Sequence, residues 1–328
     1  MALRFVHASR APPVERTVCV DGSAPAALCL GHHPESRTPE RYAADTGVEC
    51  ALRFLEDPSP PGPFSFVTND HYDADGVLSA WALLEPEAAR HHRELLVAAA
   101  ECGDYAEVGS EEALQVSAAL AGILDHRASP LSASIAGLAL PQAEERAYEF
   151  ALSNVASMLR GPDAWRELWG DEHAWWSRSL DAPLSVTELA PARLGVVESD
   201  DEPHPAVLFA KARGDLVLLV VRKEGGYAYR AEWRPHAWAR TVRRPPIRRT
   251  SLEKLCLPLN ALETNRRGRW MHDGYPGRGR SEALAFVSPG GAPEVSTLEP
   301  TEVVGRLAWF LVDRRQDPPA TNAPQQDF

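Results

Sequence analysis

Several things are scarce in this 328-residue chain, and each scarcity excludes something. There are five cysteines, Cys19, Cys29, Cys50, Cys102 and Cys256, an odd count with no CxxC spacing. That argues against a disulfide framework or a structural zinc cluster and leaves buried thiols as the expectation. No apolar run approaches the ~18 residues that would span a bilayer. The N-terminal stretch MALRFVHASRAPPVERT is charged throughout and has no apolar signal core, so a cytoplasmic location is the default expectation. GxSxG, GxxxxGK[ST] and HExxH do not occur, which removes the usual marks of an α/β-hydrolase, a P-loop NTPase and a zincin. Cations are in deficit, and the net charge of −12 disfavours long duplex nucleic acid and anionic membrane as partners.

The deficit is uneven. Residues 240–280 hold eleven Arg or Lys and three acids, a local excess of +8 that leaves −20 elsewhere. A cation cluster on an acidic chain points to a bound anion or to an acidic partner within the protein.

TVCVDG (17–22) and AALCLG (26–31) read as two short strands joined by a turn. Thr38 before Pro39 has the form of a helix start, and Tyr42, Val48, Ala51, Leu52 and Leu55 follow at helical spacing. FSFVT (64–68) is a short buried strand, and VLSAWALL (77–84) opens another helix. Strand, helix, strand, helix implies parallel strands whose C-terminal ends share one sheet edge, where ligands of open α/β sheets bind. His32 and His33 follow one strand end, and His71 to Asp75 follow another.

Residues 86–180 are predicted mostly helical, with Trp165, Trp169, Trp175 and Trp176 as packing residues. From about 186 the texture turns to strands, with a hairpin at Gly225–Gly226. The expected architecture is α/β: a parallel-sheet N-terminal domain with a helical extension (1–185), a smaller β-rich domain (186–312) and a disordered polar tail (313–328).

The segment TNDHYDADGVLSAWALL (68–84) carries the chemistry. In extended backbone His71, Asp73 and Asp75 share a face, and Gly76 allows a tight turn into the helix. One imidazole and two carboxylates suit a divalent ion such as Mn²⁺ or Mg²⁺. A calcium loop fits less well, because the twelfth position would be Ala82 rather than a bidentate Glu. A plain Asp-rich turn with a helix cap is the third possibility.

VTNDHYDADGVLSAWALL also resembles the first motif of the DHH phosphoesterases, a family of RecJ-like nucleases, oligoribonucleases and related pyrophosphatases. The resemblance spans about fifteen residues and implies His71, Asp73 and Asp75 as ligands of one or two Mn²⁺ or Mg²⁺ ions. It implies a second-motif Asp at the end of a later strand, for which ECGDYAE offers Asp104. It implies an Asp-His-His third motif, where this chain has Asp125-His126-Arg127, making His126 a candidate ligand. The fourth motif has no counterpart here.

The implied activity is metal-dependent hydrolysis of a phosphate ester or phosphoanhydride in a small nucleotide or short oligonucleotide. In that reading His33, Arg266, Arg267 and Arg269 contact substrate, His32 or His33 supplies a missing imidazole, and Trp270 stacks on a base or sugar. The alternative is an inactive DHH-like protein that binds an anion or a partner. Oligomeric state is not legible in the sequence.

Overall fold

The computed structural model describes residues 3–124, 127, 129–272 and 282–315. In chain order, β1 (Arg4–Phe5), β2 (Thr17–Val20), β3 (Leu28–Leu30), α1 (Gly47–Glu56) and β4 (Phe66–Thr68) lead into a helical run. That run comprises α2 (Ala74–Leu84), α3 (Pro86–His91), α4 (Arg93–Tyr105), α5 (Glu111–Gly122), α6 (Ser132–Ile135), α7 (Leu140–Arg160) and α8 (Arg166–Leu180). Then follow β5 (Ser185–Leu189), β6 (Leu194–Ser199), α9 (Pro205–Lys211), β7 (Leu216–Lys223) and β8 (Gly226–Trp233). The last elements are α10 (Glu253–Leu262), β9 (Arg269–His272), β10 (Glu282–Val287) and α11 (Pro300–Arg315).

The chain divides into two units. The first is Met1–Asp181 with His204–Ala206 and Trp238–Pro246, and the second is Ala182–Pro203, Val207–Ala237 and Ile247–Phe328. Two stretches beyond residue 185 therefore belong with the first unit. The architecture is α/β, with a four-stranded parallel sheet in the first unit and a six-stranded mixed sheet in the second.

The first sheet runs β1-β4-β2-β3. Strand alternation directs Val18, Val20, Leu28 and Leu30 into the main core and Thr17, Cys19 and Cys29 to the opposite face. Helix α2 is buried from Ala74 through Leu83, as its nearly unbroken apolar sequence requires. Val77, Leu78 and Trp81 of α2 join Val48 and Leu52 of α1, Leu96 of α4, Leu120 of α5 and Tyr148 of α7 in one core.

The segment after β3 departs from expectation. Pro39 leads only into a short 3₁₀ turn at Glu40–Tyr42, and α1 begins at Gly47, where Thr46 Oγ1 accepts from Glu49 N at 3.2 Å. Thr38 instead braces the turn after β3, accepting from Gly31 N at 2.8 Å and donating to Gly31 O at 2.6 Å. Likewise β2 and β3 are parallel neighbours, pairing Val18 with Leu28 and Val20 with Leu30, so residues 21–27 carry the chain back along the sheet.

The second sheet runs β5-β6-β7-β8-β10-β9 and packs Leu218, Val220, Tyr229 and Phe286 with Leu255 and Leu259 of α10 and Leu307 of α11. The hairpin at Gly225–Gly226 is present, with Lys223 opposite Gly226 and positive φ at both glycines. Trp270 is 2 % exposed and packs with Tyr229 and Phe286, so it is a core residue of the second unit rather than a platform for a base. Asp313 to Arg315 continue α11, where a disordered tail was expected, and residues 316–328 lie outside the described residues.

Candidate metal centre

Because β2, β3 and β4 are parallel neighbours, their C-terminal ends meet at one edge of the first sheet. Asp21 follows β2, His32 and His33 follow β3, and the loop to α2 carries Asp70, His71 and Asp73. Asp21 takes left-handed backbone, φ 46°, while its N–H donates to Leu30 O at 2.9 Å. Few residues other than Gly adopt that conformation cheaply, and Asp is among those that do. Asp75 lies in the first turn of α2, and Asp104 in the last turn of α4. Asp104 was expected to end a strand; the helical spacing of apolar residues in RELLVAAAECGDY keeps it on a helix.

These side chains gather around Asp21. His32 Nε2 is 3.1 Å from Asp21 Oδ1, 3.3 Å from Asp104 Oδ2 and 3.7 Å from Asp75 Oδ2. On the other side His71 Nε2 is 3.7 Å from Asp21 Oδ2 and 3.2 Å from Asp73 Oδ2, and His33 Nε2 is 3.8 Å from Asp21 Oδ1. Two overlapping triads result, Asp21–His32–Asp75 and Asp21–His33–His71, each with ligand atoms within 4.8 Å of one another. Either could hold a metal ion. Both oxygens of Asp21, His32 Nε2 and Asp104 Oδ2 are buried without a well-oriented hydrogen bond. Buried polar groups are rarely left so, and a cation at their common focus would satisfy them together.

The outer contacts fix the imidazoles for that role. His32 Nδ1 is 2.6 Å from Asp45 O, a group that can only accept, so Nδ1 donates outward and Nε2 is aimed at Asp21, where it could bind a cation on giving up its own proton. Tyr105 Oη, 2.7 Å from the same nitrogen, also donates to Asp45 O. His71 Nδ1 meets Asp70 Oδ1 at 3.0 Å, and Asp70 is anchored by Ser23 N at 3.1 Å and Ser23 Oγ at 3.0 Å. Burial pushes the Asp70 carboxyl up, but His71 and Ser23 outweigh it and hold it at about 2.

Charge is crowded in the cluster. Burial, and then the nearby Asp21 carboxylate, push Asp75 up to about 8. The same causes, burial first and then Asp75 and Asp21, raise Asp104 well above the carboxylate range. Asp21 goes the other way: burial is outweighed by His32 and His71, which keep it below its ordinary value. Carboxylates and imidazoles in this number suit a hard or borderline divalent ion, which would take the place of protons as the charge balance.

Two glycines make the approach possible. A Cβ on Gly47 would lie 2.6 Å from Asp21 Cβ and 2.8 Å from Asp21 Oδ1, and a Cβ on Gly76 would lie 2.6 Å from Tyr148 Oη. Gly47 also starts α1, whose Gly47 N and Val48 N donate to Asp75 Oδ2 and Oδ1 at 2.5 and 2.7 Å. Asp73 caps α2, its Oδ1 accepting from Gly76 N at 2.8 Å while Oδ2 faces His71. The turn-and-cap and the ligand possibilities thus coexist in one residue.

The segment Trp238–Pro246 braces this site. Arg240 N donates to His32 O at 2.7 Å, and the Trp238 ring lies 5.1 Å from His32 and 5.0 Å from His33, centroid to centroid. Val242 N and Arg243 N donate to Asp45 Oδ1. Arg243 pairs with Glu49 and Glu101, and Arg244 with Asp45, Glu101 and Glu107. Part of the basic stretch is therefore matched to acids of the protein itself.

Residues 1–281 match the family described as "Family of unknown function (DUF6687)". The chain belongs to the DUF6687 family. No curated protein matches it, and no solved structure does. Of the residues singled out in this DUF6687 chain, His33, His71, Asp73, Asp75 and Asp104 meet at the sheet edge. Arg266, Arg267 and Arg269 are exposed residues of the second unit, and His126 lies outside the described residues, as does Asp125. Asp21 was missed. Its one mark in the sequence is an Asp directly after the strand TVCV, which becomes informative once β2 is known to lie between β3 and β4.

Proposed function

We propose that this DUF6687 chain is a divalent-metal-dependent hydrolase of phosphate esters or phosphoanhydrides, acting on a small nucleotide or short oligonucleotide. The observation that supports it is the convergence of side chains on Asp21 from three parallel strand ends and two helices, with both Asp21 oxygens, His32 Nε2 and Asp104 Oδ2 buried without a well-oriented hydrogen bond. Bound Mn²⁺ or Mg²⁺ would neutralise phosphoryl oxygens and acidify a water molecule. His32, Asp75 and Asp104 would hold an ion on one side of Asp21, and His33, His71 and Asp73 on the other, with Asp21 shared. Asp45 O and Asp70 hold the Nδ1 side of the two imidazoles, so that Nε2 of each would turn to the ion on losing its proton.

The test has two readouts. Elemental analysis after expression in manganese-supplemented medium should find near-stoichiometric metal in the wild type and a large loss in Asp21→Asn. Hydrolysis of dinucleotides, short oligonucleotides and pyrophosphate with Mn²⁺ should then fall at least about 100-fold in that variant, the scale of losing several kcal/mol of charge stabilisation. Unchanged activity in Asp21→Asn would sink the proposal. Metal retention without hydrolysis of any of the three substrates would leave an anion-binding protein in its place.

A further inference from the structure

Cys19 and Cys29 sit side by side on the sheet face that looks away from the main core. They are register partners in the parallel β2–β3 pair, so their side chains leave adjacent strands in the same direction. Neighbouring strands lie about 4.8 Å apart. That separation falls inside the roughly 4.4–6.8 Å Cα range of disulfides. Both are free thiols. Cys19 is buried and Cys29 is half-buried, so one sulfur of the pair can be reached and the other stands behind it. Cys50, Cys102 and Cys256 lie on α1, α4 and α10, apart from this pair.

We propose that Cys19 and Cys29 form a reversible dithiol–disulfide site, oxidised by a hydroperoxide through Cys29. The Cys29 sulfur attacks the terminal peroxide oxygen. The O–O bond breaks, an S–OH bond forms, and the alcohol or water leaves with the proton from the thiol. The Cys19 sulfur then attacks Cys29 sulfur, the S–O bond breaks, and hydroxide leaves as water with the Cys19 proton. Two thiols lose two electrons in all, and the peroxide takes them up. Cys29 is the more exposed of the two, so it is the thiol a peroxide meets first. β2 ends directly before Asp21 and β3 two residues before His32, so the bond would tie together the two strands that lead into them.

Both cysteines fall in one tryptic peptide, Thr17 to Arg37, which makes the test direct. Reduced full-length protein is treated with hydrogen peroxide, alkylated with iodoacetamide in denaturant, digested and weighed. The expected result is a peptide that has lost two hydrogens and gained no alkyl group, with both alkyl groups regained after dithiothreitol. In Cys19→Ser the reaction should stop at a sulfenic acid on Cys29 that dimedone traps. Two alkyl groups after peroxide treatment would overturn the proposal. So would a wild-type peptide oxidised on Cys29 with Cys19 still alkylated, or disulfides formed between molecules. The wild-type measurement needs no variant and no enzymatic assay, so its failure is separate from failure of the hydrolase reading.

Discussion

Gly47→Ala tests the site through a residue that is not itself a ligand. The added methyl would stand 2.6 Å from Asp21 Cβ, 2.8 Å from Oδ1 and 2.9 Å from Cγ. Carbon contacts settle near 3.5–4.0 Å, so something must move by about 1 Å. Asp21 is poorly placed to yield, since its backbone is held in the left-handed region and its N–H is bonded to Leu30 O. A shift of the α1 N-terminus instead draws Gly47 N and Val48 N away from Asp75.

Overpacking of this kind costs about 1–3 kcal/mol, against a gain of at most about 1 kcal/mol from replacing Gly by Ala in a helix. The expected net loss is about 1–2 kcal/mol in urea unfolding. It should come with a fall of about 10–100-fold in Mn²⁺ affinity by calorimetry, the scale seen when support around metal ligands is disturbed. Gly170→Ala in α8 is the control. Its nearest neighbour would be Arg166 Cγ at 3.7 Å, so the helix should gain about 0.5–1 kcal/mol with metal binding unchanged. If the two substitutions shift stability in the same direction and neither alters metal binding, the argument for close approach at Asp21 fails.

Two further outcomes are expected. Asp45→Asn should destabilise the first unit by about 1–3 kcal/mol, because it removes the buried charge that accepts from Val242 N and Arg243 N and pairs with Arg244, while Arg244 keeps Glu101 and Glu107. Burial raises the Asp45 carboxyl, but the Arg243 and Val242 N–H groups and the Arg244 charge outweigh it, so its folded value lies below the ordinary one. Its contribution is then full above about pH 4–5 and lost as pH falls through the folded value. Asp45→Asn should flatten that acid limb in unfolding curves taken from pH 6 downward, and an unchanged limb would contradict the assignment. Trp270→Ala should cost about 3–5 kcal/mol in denaturant unfolding by hollowing the second core, and a cost under about 1 kcal/mol would contradict its burial.

The parallel edge was legible because local rules and topology agree there. FSFVT, the Asp-rich turn and the apolar run of α2 are short-range features, and a strand-helix-strand order fixes which ends meet. The hairpin at Gly225–Gly226 was legible for the same reason. Asp21 was not, since an Asp before Gly after a strand reads equally well as a turn, and only the insertion of β2 between β4 and β3 brings it to the centre. The start of α1 was misplaced because Thr38–Pro39 satisfies every local rule for a cap. Asp45 is held by Val242, Arg243 and Arg244, a contact almost two hundred residues away in sequence, and α1 begins only after it, at Gly47. Trp270 was misjudged because an aromatic among arginines has the same sequence form whether it faces solvent or core.

The first body of this protein is not one uninterrupted stretch of sequence. A fragment cut at residue 185 would keep every residue of the candidate metal centre but lose the braid of Trp238–Pro246. Asp45, Glu49, Glu101 and Glu107 would then repel one another with no guanidinium between them, and the outer wall over His32 and His33 would be missing. Any effort to isolate the first unit by truncation must therefore graft that nine-residue piece back or keep the whole polypeptide.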